Sequence, residues 1–145
     1  MTRALTYRIA IAAAPETVWA ALTTPEGSRA TLYGSDIESD FAVGGSVEYV
    51  GHHDGVRVVY VYGEILALEP GRVFSYRHHP GPSHSPDHAT TTCRMTYRVT
   101  PTGGGTELEL TVDEWSAGNP GYTHAAESYP ESDFLDGLKR YAESV

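Results

Sequence analysis

The 145-residue chain has 40% hydrophobic and 20% charged side chains with 15 Gly and 9 Pro, the composition of one globular domain with its own core over residues 1–145. A single cysteine, Cys93, excludes an internal disulfide framework, and no apolar run approaches the roughly 18 residues that a membrane span requires. The formal charge of −9, from 19 acidic and 10 basic residues, argues against a nucleic-acid partner, because phosphate binding draws its affinity from clustered Lys and Arg.

The opening MTRALTYRIA lacks a charged-then-apolar leader pattern, so a cytoplasmic location is expected. Nine Arg against one Lys points to a GC-rich, bacterial source. Leu5, Tyr7, Ile9 and Ile11 alternate with polar or small residues, which predicts a strand with one buried face. In AAAPETVWAALTTPEG, Pro15 and Glu16 suit a first helical turn, and Val18, Trp19 and Leu22 share a face. Thr24-Pro25-Glu26 then reads as a second cap, with a second short helix running to about Tyr33.

Six further strands follow at Asp36–Phe41, Ser46–His52, Val56–Leu68, Arg72–His79, Thr90–Thr100 and Thr106–Trp115, separated by Gly- and Pro-containing turns. Connections this short imply antiparallel hairpins. Cys93, Met95, Tyr97 and Val99 alternate with Thr92, Arg94, Thr96 and Arg98, so one face is apolar and the other meets water. Pro130 to Val145 places Phe134, Leu135, Leu138, Tyr141, Ala142 and Val145 on one side of a closing helix, with Gly137 inside it. The order predicts an α+β fold: a curved antiparallel sheet wrapped around a long C-terminal helix, with two short helices after strand one.

Four segments in this order, PETVWAALTTPEG (Pro15 to Gly27), VGGSVEY (Val43 to Tyr49), GEILALEPGRVFSY (Gly63 to Tyr76) and the closing helix around Leu135 and Leu138, resemble the START-like superfamily, also called SRPBCC. The resemblance is to its branch related to the activator of the heat-shock chaperone ATPase. It implies a helix-grip fold with a pocket between sheet and closing helix, in a family that includes lipid carriers, polyketide cyclases, stress and self-resistance proteins and chaperone cofactors. None of the matching segments is catalytic, so fold does not fix function. Family members often carry Trp near the end of the second helix and at the start of the closing helix. Here those regions read SRATLYG and YPESDF, and Tyr33 and Phe134 stand in that volume, so the ligand is expected to differ from those of better-known relatives.

The expected function is binding of a small hydrophobic or aromatic ligand in the pocket, for sequestration or self-resistance. A cyclase- or isomerase-like activity on a conjugated carbonyl compound is the enzyme alternative, and a chaperone ATPase cofactor the interaction alternative. Tyr49, Tyr60, Tyr62, Tyr76 and Tyr97 on neighbouring strands suggest a tyrosine wall, apolar in body with a hydrogen-bonding tip. Met95 shares the inward phase with Tyr97, the resemblance places Phe134 at the pocket mouth, and His78, Tyr76 and Glu114 are the candidate proton carriers. The phase of Val56–Leu68 is ambiguous, because Tyr60 and Tyr62 alternate with Val59 and Val61; an exposed phase there is compatible with a homodimer face.

Alternation through Thr106–Trp115 aims Glu114 into the pocket as a polar anchor, unless the strand ends before it and Glu114 meets water. His78, His79, His84, His88 and Asp87 cluster around three prolines, but their spacing matches no zinc pattern, so neither a metal nor another cofactor is expected. Cys93, in the apolar phase, reads as an inert packed thiol.

Overall fold

The computed structural model describes residues 2–145. Leu5, Tyr7 and Ile11 of β1 (Leu5–Ile11) point into the core as their alternation predicts. Helix α1 (Pro15–Thr23) starts on Pro15 and buries Val18, Ala21 and Leu22. At its end Thr24 caps α2 (Pro25–Thr31) by accepting the Gly27 amide. Gly27 is required there, since a Cβ would collide with the Ala21 carbonyl.

The strands β2 (Asp36–Ser39), β3 (Ser46–His53), β4 (Val56–Glu69), β5 (Val73–Pro80), β6 (Cys93–Thr102) and β7 (Gly105–Asp113) join β1 in one sheet, ordered β1-β7-β6-β5-β4-β3-β2. Every pairing is antiparallel, as short connections require. The register shifts twice along β4. Tyr60 and Leu66 are each left without a partner, which bends the longest strand and lets the sheet curl. Between these bulges a Cβ on Gly63 would collide with the Arg77 carbonyl, so glycine allows the close approach to β5.

Three expectations are corrected. Residues Pro120–Ser128 form a helix, α3, that alternation and capping did not announce; it is started by Asn119, whose side chain accepts the Gly121 amide, and buries no residue fully. The closing helix, α4, spans only Asp133–Ser144, because Ser132 caps it by accepting the Leu135 amide. Leu135, Leu138 and Ala142 are its buried face, Phe134 and Tyr141 are half-buried, and Val145 lies beyond the helix in solvent. Helix α2 ends at Thr31, before Tyr33, which has φ +53° and is 79% exposed. The core is the layer between the sheet's inner face and α1, α2 and α4, centred on Leu5, Val18, Ile65, Phe74, Leu108 and Leu138.

Candidate functional site

Strand register brings inward side chains into rungs. One runs Tyr76, Met95, Val112 across β5, β6 and β7; the next runs Phe74, Tyr97, Leu110, Tyr7 and so reaches β1. On the far side Tyr49 of β3 sits opposite Val61. Phe74 fills the core beneath, its ring stacked 5.4 Å from that of Tyr76 and 6.1 Å from that of Tyr97. Above these rings an open pocket of about 220 Å³ remains, bordered by Leu32 after α2 and by Ser132 and Phe134 at the start of α4. Tyr129 steadies this end: its hydroxyl donates to the Thr6 carbonyl at 2.9 Å, and its ring meets Tyr7 edge-on at 5.1 Å.

The pocket wall carries no formal charge. Burial pushes the phenols of Tyr49, Tyr76 and Tyr97 far up and that of Tyr7 up, so they act as neutral hydroxyls. Burial pulls the His78 imidazole down to about 4, opposed by a backbone hydrogen bond and reinforced by neighbouring His79. His78 is therefore a neutral donor and acceptor at pH 7, its ring centroid 6.1 Å from that of Tyr76. Its other side faces a second hollow of about 290 Å³ lined by Cys93, Trp115 and Asn119. Cys93 is buried and its thiol pushed up to about 12 by that burial. That chemistry suits a packing residue.

Of the residues the sequence singled out, Tyr49, Tyr76, His78, Met95, Tyr97 and Phe134 meet in this pocket. Tyr60, Tyr62 and Glu114 do not line it. Tyr60 is the bulged residue of β4; its ring lies over Gly51 and its hydroxyl bonds His53 Nε2. Tyr62 faces the opposite side of the sheet, stacked on His79 at 4.6 Å with its hydroxyl 2.5 Å from His88 Nδ1. Glu114 follows the end of β7, turns out at φ +51° and pairs in solvent with Arg77 at 2.8 Å and Arg94 at 3.3 Å. Of the two readings of Glu114, the one in which the strand ends first is the structure's. The four loop histidines fall into two pairs: His79 and His88 join Tyr62, while His78, which also faces the pocket, and His84, which packs against Tyr60, both line the 290 Å³ hollow.

Tyr7, Leu32, Val61, Leu110, Val112 and Ser132 complete the lining. Tyr7, Leu110 and Val112 were legible as the inward phase of their strands, whereas Leu32 and Ser132 arrive from irregular chain and carry no periodic signal. Beyond Tyr7, Leu32, Ser132 and Phe134, which line both, lies a wider groove of about 540 Å³ bordered by Tyr33, His124, Ser128, Glu131 and Asp133.

The family model described as Activator of Hsp90 ATPase homolog 1-like protein matches residues 12–143. No curated protein matches the sequence. Among solved structures, a Mesorhizobium loti protein is 24% identical with TM-score 0.73 over 99% of this chain and 98% of its own. A Cytophaga hutchinsonii protein is 25% identical with TM-score 0.73 over 99% and 97%. The Aha1 dimer from Colwellia psychrerythraea is 20% identical with TM-score 0.68 over 97% and 96%.

Proposed function

We propose that this chain, which belongs to the Activator of Hsp90 ATPase homolog 1-like family, binds a small, largely aromatic molecule between its curved sheet and its closing helix, for carriage or sequestration. The observation that carries the reading is the 220 Å³ of space left over a wall of tyrosine, methionine and aliphatic side chains, with neutral hydroxyls and one neutral imidazole as polar points. An engineered apolar space of roughly 150 Å³ admits benzene, so this one suits a compound of one or two rings. Apolar contact supplies most of the affinity; the phenols and His78 select a ligand with a carbonyl or hydroxyl group.

Calorimetric titration with 1-naphthalenemethanol tests this. The wild type is expected to bind, and Val112→Phe, which adds volume to the pocket wall, to weaken binding at least tenfold while keeping the native circular dichroism. Equal binding by both proteins, or none by the wild type, would refute the reading.

His78 beside Tyr76 also favours a second reading, proton transfer on a bound carbonyl compound. A neutral imidazole accepts a proton from the carbon next to the carbonyl while a phenol donates to the oxygen. Deuterium exchange at that carbon, catalysed by the wild type and lost in His78→Gln, is the result this reading requires.

A further inference from the structure

The pocket and the groove beyond it share Tyr7, Leu32, Ser132 and Phe134, so the two adjoin along these residues and the groove stands at the pocket's outer end. Among the described residues, no Lys or Arg lines either one. The pocket's ionisable groups are neutral phenols and His78. The fixed charges on the route are Glu131 and Asp133, both exposed at the groove wall, and neither belongs to an ion pair among the described residues. The amino end of α4 points the other way electrostatically, since free amides favour an anion. That preference is already answered: Ser132 Oγ accepts the Leu135 amide, the Ser132 carbonyl accepts the Asp136 amide, and Asp133 and Asp136 stand in the first turn.

We infer that the pocket is charge-selective: its ligand is an arylalkyl amine, with the neutral ring system among Tyr7, Tyr49, Tyr76 and Tyr97 and the ammonium group in the groove near Glu131 and Asp133, and aromatic carboxylates are disfavoured. The inference rests on the small-molecule reading above and adds the sign of the ligand's charge. A carboxylate would bring its charge beside two others with no Lys or Arg among the described lining residues to receive it, while an ammonium group keeps partial hydration and gains two nearby opposite charges. Each exposed carboxylate strengthens such contact only a few-fold, so the preference is moderate in size.

Three isosteric probes separate the possibilities at pH 8, above the ordinary imidazole range, and low salt: 1-naphthylmethylamine, 1-naphthalenemethanol and 1-naphthoate. The amine is expected to bind about three- to tenfold more tightly than the alcohol and the acid more weakly by a similar factor. Raising the salt to 0.5 M should narrow both gaps, and Glu131→Gln with Asp133→Asn should bring the amine level with the alcohol. Either single variant gives a partial loss if the double variant is poorly folded. Alcohol binding without preference for the amine, or tighter binding of the acid, overturns the charge assignment and leaves the pocket reading intact; failure of all three probes overturns both.

Discussion

The two faces of one sheet in this protein follow opposite rules. The outer face is laced with charge: Arg8 and Arg98 share Glu109, Arg77 and Arg94 share Glu114, and Arg57 bridges Glu38 and Glu48. Even where Arg77 and Arg94 stand directly opposite on β5 and β6, a carboxylate spans them. Hydroxyls there also pair, as Ser75 with Thr96 at 2.9 Å. The inner face, one residue out of phase, carries rings and aliphatic groups whose polar tips surround unfilled volume. The outer face, whose polar groups satisfy one another, leaves no such volume among the described residues, whereas the inner face keeps space beside phenols that bond among themselves and to Met95.

The largest test of that contrast is stability. Phe74→Ala, in the fully buried layer beneath the pocket, is expected to cost about 3–5 kcal/mol in urea unfolding, against no more than about 1 kcal/mol for Arg98→Ala on the outer face. Comparable losses would break the contrast.

Next in size is the response to acid. Because the folded-state value of His78 lies below its ordinary one, the unfolded chain takes up the proton first; the contribution is complete above pH 6.5, falls as pH drops toward 4, and is level below that. The loss amounts to about 3 kcal/mol, and His78→Gln should flatten this part of the stability curve. An unchanged curve in that variant would mean that the imidazole is not held neutral by the inner face.

On the outer face, Glu114→Gln leaves Arg77 and Arg94 without their shared carboxylate. The cost should not exceed about 1 kcal/mol and should shrink further in high salt, because the pair is exposed. The smallest expected effect has the opposite sign. Gly137 sits inside α4, where an added Cβ would meet nothing nearer than the flexible end of Arg140 at 3.6 Å, so Gly137→Ala should stabilise by about 0.5–1 kcal/mol and raise the melting temperature by a few degrees.

Most strands, the first two helices and the buried stripe of the closing helix were legible because each rests on a local rule. Alternation identified the inward phase of β6 and β7, and Pro15 and Thr24 marked two helix starts. Helix α3 escaped because PGYTHAAES buries nothing fully, and so shows no apolar stripe. Val145 was misread because the helical period was carried past the last hydrogen-bonded turn.

The candidate site divides in the same way. Tyr76, Met95 and Tyr97 could be placed from phase within a strand, since the pleat of the backbone sends every second side chain to the same face regardless of distant partners. Tyr60 could not be placed, because the bulge that displaces it comes from how β4 is matched to β3, a property of two segments together. Glu114 depended on where the β7 ladder stops, and Leu32 and Ser132 on where two irregular segments meet above the sheet. The sequence by itself determined the family, the sheet-and-helix architecture and the inner phase, all consequences of backbone geometry and apolar periodicity. Only the tertiary structure decided which inner residues border empty volume, because a void is defined by side chains that arrive from distant parts of the chain and fail to meet.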